Sequence, residues 1–150
     1  MKTSEIEHEE RHWSEIFRKE KNKPNFRTFS SYWWKTYYGE IVSCSSGFLP
    51  KDGKGRVLEL GSGSGKSSIL ISDRAEKVTL LDISPSALEY ARFLAEKFGA
   101  RNVETVQGDA FDAPFDSSAF DFVWNIGVLE HYSMPQIRQY LSEMARLVKS

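Results

Sequence analysis

The stretch that decides the fold is RVLELGSGSGKSS, Arg56 to Ser68. Val57, Leu58 and Leu60 form a short apolar run suited to a buried strand, and glycines follow at 61, 63 and 65. Three alternate glycines let the backbone turn sharply and pass close to a ligand before Lys66 opens a helix. An acid, Glu59, stands two residues before the first glycine. A strand, a glycine loop and a helix in this order predict a cofactor cradle.

Spacing and charge narrow the choice of cofactor. Gly65, Lys66 and Ser67 match the end of the phosphate-binding pattern GxxxxGK[ST], but its first glycine would fall on Leu60, so a P-loop nucleotidase is disfavoured. The dinucleotide pattern GxGxxG places its third glycine where Lys66 stands. A carboxylate at Glu59 would also repel a pyrophosphate, and a cationic ligand suits it better. The segment resembles motif I of the class I S-adenosylmethionine-dependent methyltransferases, a hydrophobic strand running into E/D-x-GxGxG, here Glu59, Gly61, Gly63 and Gly65.

Three later segments follow in the order that this resemblance implies. Val78 to Leu81 ends in Asp82, with Ile83 next and Ser84 and Pro85 as N-cap and first residue of a helix. An acid there is placed to accept hydrogen bonds from ribose hydroxyls. Val103 to Gln107 leads into Gly108, Asp109 and Ala110, similar to the family's adenine-binding segment. Phe120 to Trp124 leads into Asn125, Ile126, Gly127, Val128, Leu129, Glu130 and His131, similar to the segment that faces the methionine end of the cofactor and the substrate.

The resemblance implies S-adenosyl-L-methionine as cofactor, with S-adenosyl-L-homocysteine as product, held by Glu59, Gly61, Ser62, Gly63, Gly65, Asp82, Ile83, Asp109, Ala110 and Asn125. His131 is the candidate general base, and a histidine bonded to nearby backbone at a helix start is the alternative. Lys66 can pair with a carboxylate of the ligand or remain solvated in the first helical turn. Asp82 and Asp109 can contact ligand or cap the turns that follow them.

The 150 residues carry 40% hydrophobic side chains and 20 basic against 21 acidic residues, which suits a soluble chain with no preference for nucleic acid. No apolar run reaches membrane-spanning length, and the charged N-terminus MKTSEIEHEERHW is unlike a signal peptide, so a cytoplasmic protein is expected. The single cysteine, Cys44, excludes an internal disulfide and is read as a helix-packing residue. His8, His12 and His131 lack metal-ligand spacing, and no metal is expected.

Two domains are expected: an N-terminal helical cap over 1–50 and a cofactor-binding domain over 51–150. Ile6, Trp13, Ile16 and Phe17 form one helical stripe, and Pro24 punctuates it. Ser30 or Ser31 can cap a second helix with Trp34, Tyr37, Tyr38, Ile41 and Val42 on one face. His12, Trp13, Tyr37 and Tyr38 can form a lid over the cofactor or pack as core. After a linker at Pro50 to Gly55, strands near 56–60, 77–81, 103–107 and 120–125 alternate with helices near 65–74 and 85–98 and a last helix capped by Ser133 and Gln136.

This alternation predicts an α/β, Rossmann-like parallel sheet with helices on both faces and ligand at the strands' C-terminal ends. The resembled family has seven strands and this sequence supplies about four, so a fragment, an oligomer or a partner chain completing the sheet is expected. The segment after the fourth strand, NIGVLEH, lacks the Asn/Asp-Pro-Pro-aromatic tetrad used on adenine or glutamine amino groups. That absence speaks against methylation of DNA adenine, and the VLEH segment, Val128 to His131, looks more like methyltransferases of small molecules; this resemblance implies a small-molecule acceptor, with a non-catalytic cofactor-binding module as the alternative.

Overall fold

The computed structural model describes residues 3–22 and 32–150. Pro24, Ser30 and Ser31 lie outside the described residues, as do the side chains of Ile6 and Trp34. Two helices, α1 (Thr3–Asn22) and α2 (Tyr32–Ser46), precede the first strand, β1 (Arg56–Leu60). There follow α3 (Lys66–Leu70), β2 (Lys77–Asp82), α4 (Pro85–Phe98), β3 (Val103–Gln107), β4 (Phe122–Trp124) and α5 (Met134–Leu147).

The strands form one parallel sheet in the order β3-β2-β1-β4. The chain order reverses at β1, with β2 on one side and β4 on the other, so the crevice beyond the end of β1 is where such a sheet binds ligand. Val57, Leu58, Leu60, Val78, Leu80 and Leu81 are buried, as a strand covered on both faces requires. Helix α4 starts at Pro85 after the N-cap Ser84, whose hydroxyl accepts the Ala87 N–H at 3.1 Å, and ends on Gly99 at φ +71°. In α5, Gln136 Oε1 accepts the Ser133 N–H at 3.0 Å, the reciprocal arm of the expected capping box. Buried Tyr140 donates from its hydroxyl to the Leu60 carbonyl at 2.7 Å, anchoring α5 at the end of β1.

Three expected elements differ in detail. The helix foreseen over 65–74 is α3, five residues long, followed by a 3-10 turn at Ser72–Arg74. Strand β4 is shorter than 120–125, because Phe120 pairs instead with Val148 and the Asp121 carboxylate accepts the Arg56 N–H at 2.8 Å. Cys44 is exposed, not packed, since α2 turns the half-buried Ile41 and Val42 and the buried Ser45 inward. Tyr37, 42% exposed, also falls off that inner face.

The glycine loop is held tightly against the sheet. A Cβ at Gly65, which has φ +63°, would stand 2.3 Å from Leu80 Cδ1, whereas one at Gly99 would meet nothing within 4 Å. Gly65→Ala combines a left-handed backbone with overpacking and should lower stability by about 2–4 kcal/mol. Gly99→Ala should cost about 1 kcal/mol, the backbone contribution alone. Urea denaturation of the two variants checks this difference.

Candidate functional site

The site begins with the turn after β1. The Ser62 N–H donates to the Leu81 carbonyl at 3.0 Å and the Gly65 N–H to the Ser62 carbonyl at 2.8 Å, so the loop folds over the end of β2. Gly61, Gly63 and Gly65 all have positive φ. At Gly61 a Cβ would lie 2.9 Å from Val128 Cγ2, which closes the opposite side of the crevice.

Asp82, at the end of β2, fixes this geometry. One carboxylate oxygen accepts the Gly63 N–H at 2.7 Å and the other accepts the Ser84 N–H at 2.8 Å. Burial raises its pKa above the ordinary carboxylate value, against the pull of those backbone donors. The Ser84 hydroxyl also meets the Ser14 hydroxyl of α1 at 2.9 Å in a buried contact. One carboxylate thus organises the glycine loop, the start of α4 and, through Ser84, the docking of α1.

Glu59, 3% exposed, lies beside the loop on β1. The Ser68 hydroxyl accepts the Trp124 indole N–H at 2.9 Å, leaving its own proton for Glu59. The other Glu59 oxygen, Oε2, is buried without a hydrogen-bond partner, and so is Ser62 Oγ. Desolvation pushes the Glu59 carboxyl up to about 7, with the Ser68 hydrogen bonds opposing it and Asp82 reinforcing it. Glu59 thus offers a buried acceptor without a donor inside a cleft, which makes it a candidate site residue.

These groups meet in one cavity of about 220 Å³. Of the residues expected to hold a cofactor, Glu59, Gly61, Ser62, Gly63, Asp82, Ile83, Asp109 and Ala110 line it. Gly65 and Asn125 do not: Gly65 packs on Leu80, and the Asn125 amide donates to Met144 Sδ at 3.4 Å. The adjacent Ile126 and Gly127 line the cavity where Asn125 does not. Asp109 also caps its own turn, accepting the Phe111 N–H at 2.9 Å.

The far wall comes from α1, α2 and the segment after β4. Trp13, Tyr38 and the candidate base His131 line the cavity, while His12 and Tyr37 stand behind, each edge-on to its neighbour at 5.2 and 5.1 Å. His131 meets Trp13 edge-on, with ring centroids 5.0 Å apart. Phe17 sits over the glycine loop, where a Cβ on Gly63 would come within 2.7 Å of its ring. Lys66 is paired with Glu20 of α1 at 3.3 Å and lies over the Tyr90 ring. Glu9, Phe17 and Tyr132 were not singled out as lining residues by the sequence. Glu9 and Phe17 flank Trp13 at helical i,i+4 spacing, which was the available signal.

Residues 57–150 match a family model described as a methyltransferase domain. The chain belongs to the class I S-adenosylmethionine-dependent methyltransferase family. Among the relatives of this methyltransferase-family chain is 2-methyl-6-phytyl-1,4-hydroquinone methyltransferase 2 of Oryza sativa subsp. japonica, 41% identical over 83 residues, 54% of this chain and 23% of that protein. Protein-L-isoaspartate O-methyltransferase 2 of Shewanella sediminis is 29% identical over 108 residues, 72% of this chain and 44% of that protein. The crystal structure of the PH0226 protein from Pyrococcus horikoshii OT3 superimposes with a TM-score of 0.71 at 27% identity, over 90% of this chain and 61% of that one. The family chain described here thus spans less than half the length of either curated relative.

The Glu59 carboxyl gives the folded state a distinct pH signature. The folded chain titrates it near 7 and the unfolded chain near 4.5, so between these values the folded state holds the extra proton. Its stabilising contribution is full below the unfolded value and is lost as pH rises toward the folded one, by up to about 1.4 kcal/mol per pH unit. The stability difference between the parent chain and Glu59→Gln, followed by urea denaturation from about pH 4 to about pH 8, should show that decline. A difference that stays flat with pH would contradict it.

Proposed function

We propose that the cavity binds S-adenosyl-L-methionine and that the chain serves methyl transfer to a small-molecule acceptor. The observation that carries this reading is the buried, unpartnered Glu59 Oε2 beside a glycine loop whose amide is already held by Asp82. The residues fit the group. A methionine ammonium supplies the donor that Glu59 lacks, and ribose hydroxyls can use acceptor capacity remaining on Asp82. Asp109 and Ala110, at the end of β3, would face the adenine, with the Asp109 carboxylate able to accept from its amino group.

When bound, this cofactor supplies an activated methyl group on a sulfonium. The chain's own task is then to orient the acceptor and keep water out, and no covalent intermediate on the protein is called for. Trp13, Phe17 and Tyr38 would cover the cleft from the helical side. A proton released by the acceptor would be taken at the His131 imidazole, which lies on the cavity wall. The acid-rich lining favours a cationic ligand over a nucleotide phosphate.

A second reading, that the chain binds the cofactor but needs further protein for turnover, is favoured by the sheet edge. Among the described residues, strand β4 has β1 on one side only, and beside it Phe48, 72% exposed, stacks on Phe122 at 6.3 Å. Native mass measurement, together with turnover assays on the chain alone, separates the two readings: methyl transfer by a monomer removes the second.

Calorimetry with S-adenosyl-L-homocysteine tests the binding itself. The parent should bind, and Glu59→Gln should weaken binding about tenfold or more, since an amide cannot supply the charge that pairs with an ammonium. Affinity in the parent should rise with pH as Glu59 ionises, and this rise should vanish in the variant. A folded parent that shows no binding would overturn the proposal.

A further inference from the structure

The cofactor reading uses Glu59, the glycine loop, Asp82 and Asp109, all at the ends of β1, β2 and β3. It assigns no acceptor chemistry to an outer part of the same cavity, made by Glu9 and Trp13 of α1, Trp13 being one of the cover residues, and by Tyr132 and the proposed proton acceptor His131 after β4. Resting on that reading, we propose that this outer part is the acceptor site and that it selects an acceptor carrying a protonated amine on an apolar or aromatic body.

Three observations carry the proposal. First, the wall is aromatic and braced: Trp13 meets His131 edge-on at 5.0 Å, and Tyr132 meets Phe111 edge-on at 4.9 Å. Faces and edges of fixed rings provide apolar contact for a flat body and attraction for a cation lying over them. Second, Glu9 is positioned, since its Oε2 accepts the Trp13 indole N–H at 2.9 Å. A carboxylate has about four acceptor sites, so one such bond leaves it able to receive an ammonium.

Third, the electrostatics disfavour an anion. Among the described lining residues the carboxylates are Glu9, Glu59, Asp82 and Asp109, against Lys66 as the one lysine or arginine, and Lys66 is already paired with Glu20. The Tyr132 hydroxyl registers this environment: burial first, then Glu9, Asp109 and Asp82, push it up to about 12. The same negative field would hold an amine in its protonated form and repel a carboxylate or phosphate. A neutral hydroxyl could donate one hydrogen bond to Glu9 but would lack the charge pairing that an ammonium adds.

The test uses the full chain and small probes of one shape and different charge. S-adenosyl-L-homocysteine is titrated first; if it does not bind, the cofactor reading falls and the proposal with it. With that ligand saturating, phenethylamine, phenethyl alcohol and 3-phenylpropionate are titrated by calorimetry. Phenethylamine should bind about tenfold or more tightly than the other two. Glu9→Gln, which retains an acceptor for the Trp13 indole, should remove most of that preference while S-adenosyl-L-homocysteine still binds. Equal binding of amine and alcohol, tighter binding of the carboxylate, or a preference that survives in Glu9→Gln would each overturn the amine assignment while leaving the cofactor reading intact. The charge preference of the parent decides the matter even where the variant folds poorly.

Discussion

The carboxylate of Asp82 is the constraint on which the rest of the site depends. Its two oxygens accept the amides of Gly63 and Ser84, joining the loop after β1 to the helix after β2. Either partner without it would be a backbone donor pointed into a buried crevice, and such groups are costly when unpaired. Ser84 then carries the connection outward, because its hydroxyl both caps α4 and meets Ser14 of α1. A single side chain at the end of one strand thus links the pocket floor to one of the contacts that dock its cover, beside the Lys66–Glu20 pair and the packing of Phe17 on the glycine loop.

Glu59 shows the opposite strategy. Placing a carboxylate at 3% exposure on a central strand is unfavourable, and the folded chain offsets only part of that with hydrogen bonds from Ser68. Trp124 fixes Ser68 from the β4 side, so the orientation of Glu59 depends on three neighbouring elements, β1, α3 and β4. An unpaired buried acceptor lowers the stability of the folded chain, and such local costs are expected at functional sites. A loop that merely turns would need no such open acceptor beside it.

The alternation of strands and helices was legible in the sequence because β1, β2 and β3 carry aliphatic and β-branched residues and stop at Gly61, Asp82 and Gly108, while β4 is a short aromatic-rich run that stops at Asn125. Val103–Gln107 and Pro85–Phe98 fall where the pattern places them. The inner half of the site was legible for the same reason: Glu59, Gly61, Gly63, Asp82 and Asp109 all sit where a predicted strand stops, and a parallel sheet gathers such positions at one edge. Residues whose placement depends on contacts far along the chain were not legible. Phe120 leaves β4 to pair with Val148, and Cys44 turns outward because neighbouring positions on α2 supply the packing face.

By itself the sequence determined a parallel α/β sheet and the acids and glycines at its carboxyl edge, since periodicity and turn chemistry are local properties. Tertiary structure alone decided which atoms of those acids are satisfied, leaving Glu59 Oε2 open while both oxygens of Asp82 are engaged. It also decided the outer wall. Glu9 and Trp13 lie more than a hundred residues before His131 and Tyr132, and only the packing of α1 against α4 and the glycine loop brings them to one cavity. No local pattern encodes that meeting, because it arises from the summed burial and hydrogen bonding of elements distant in the chain.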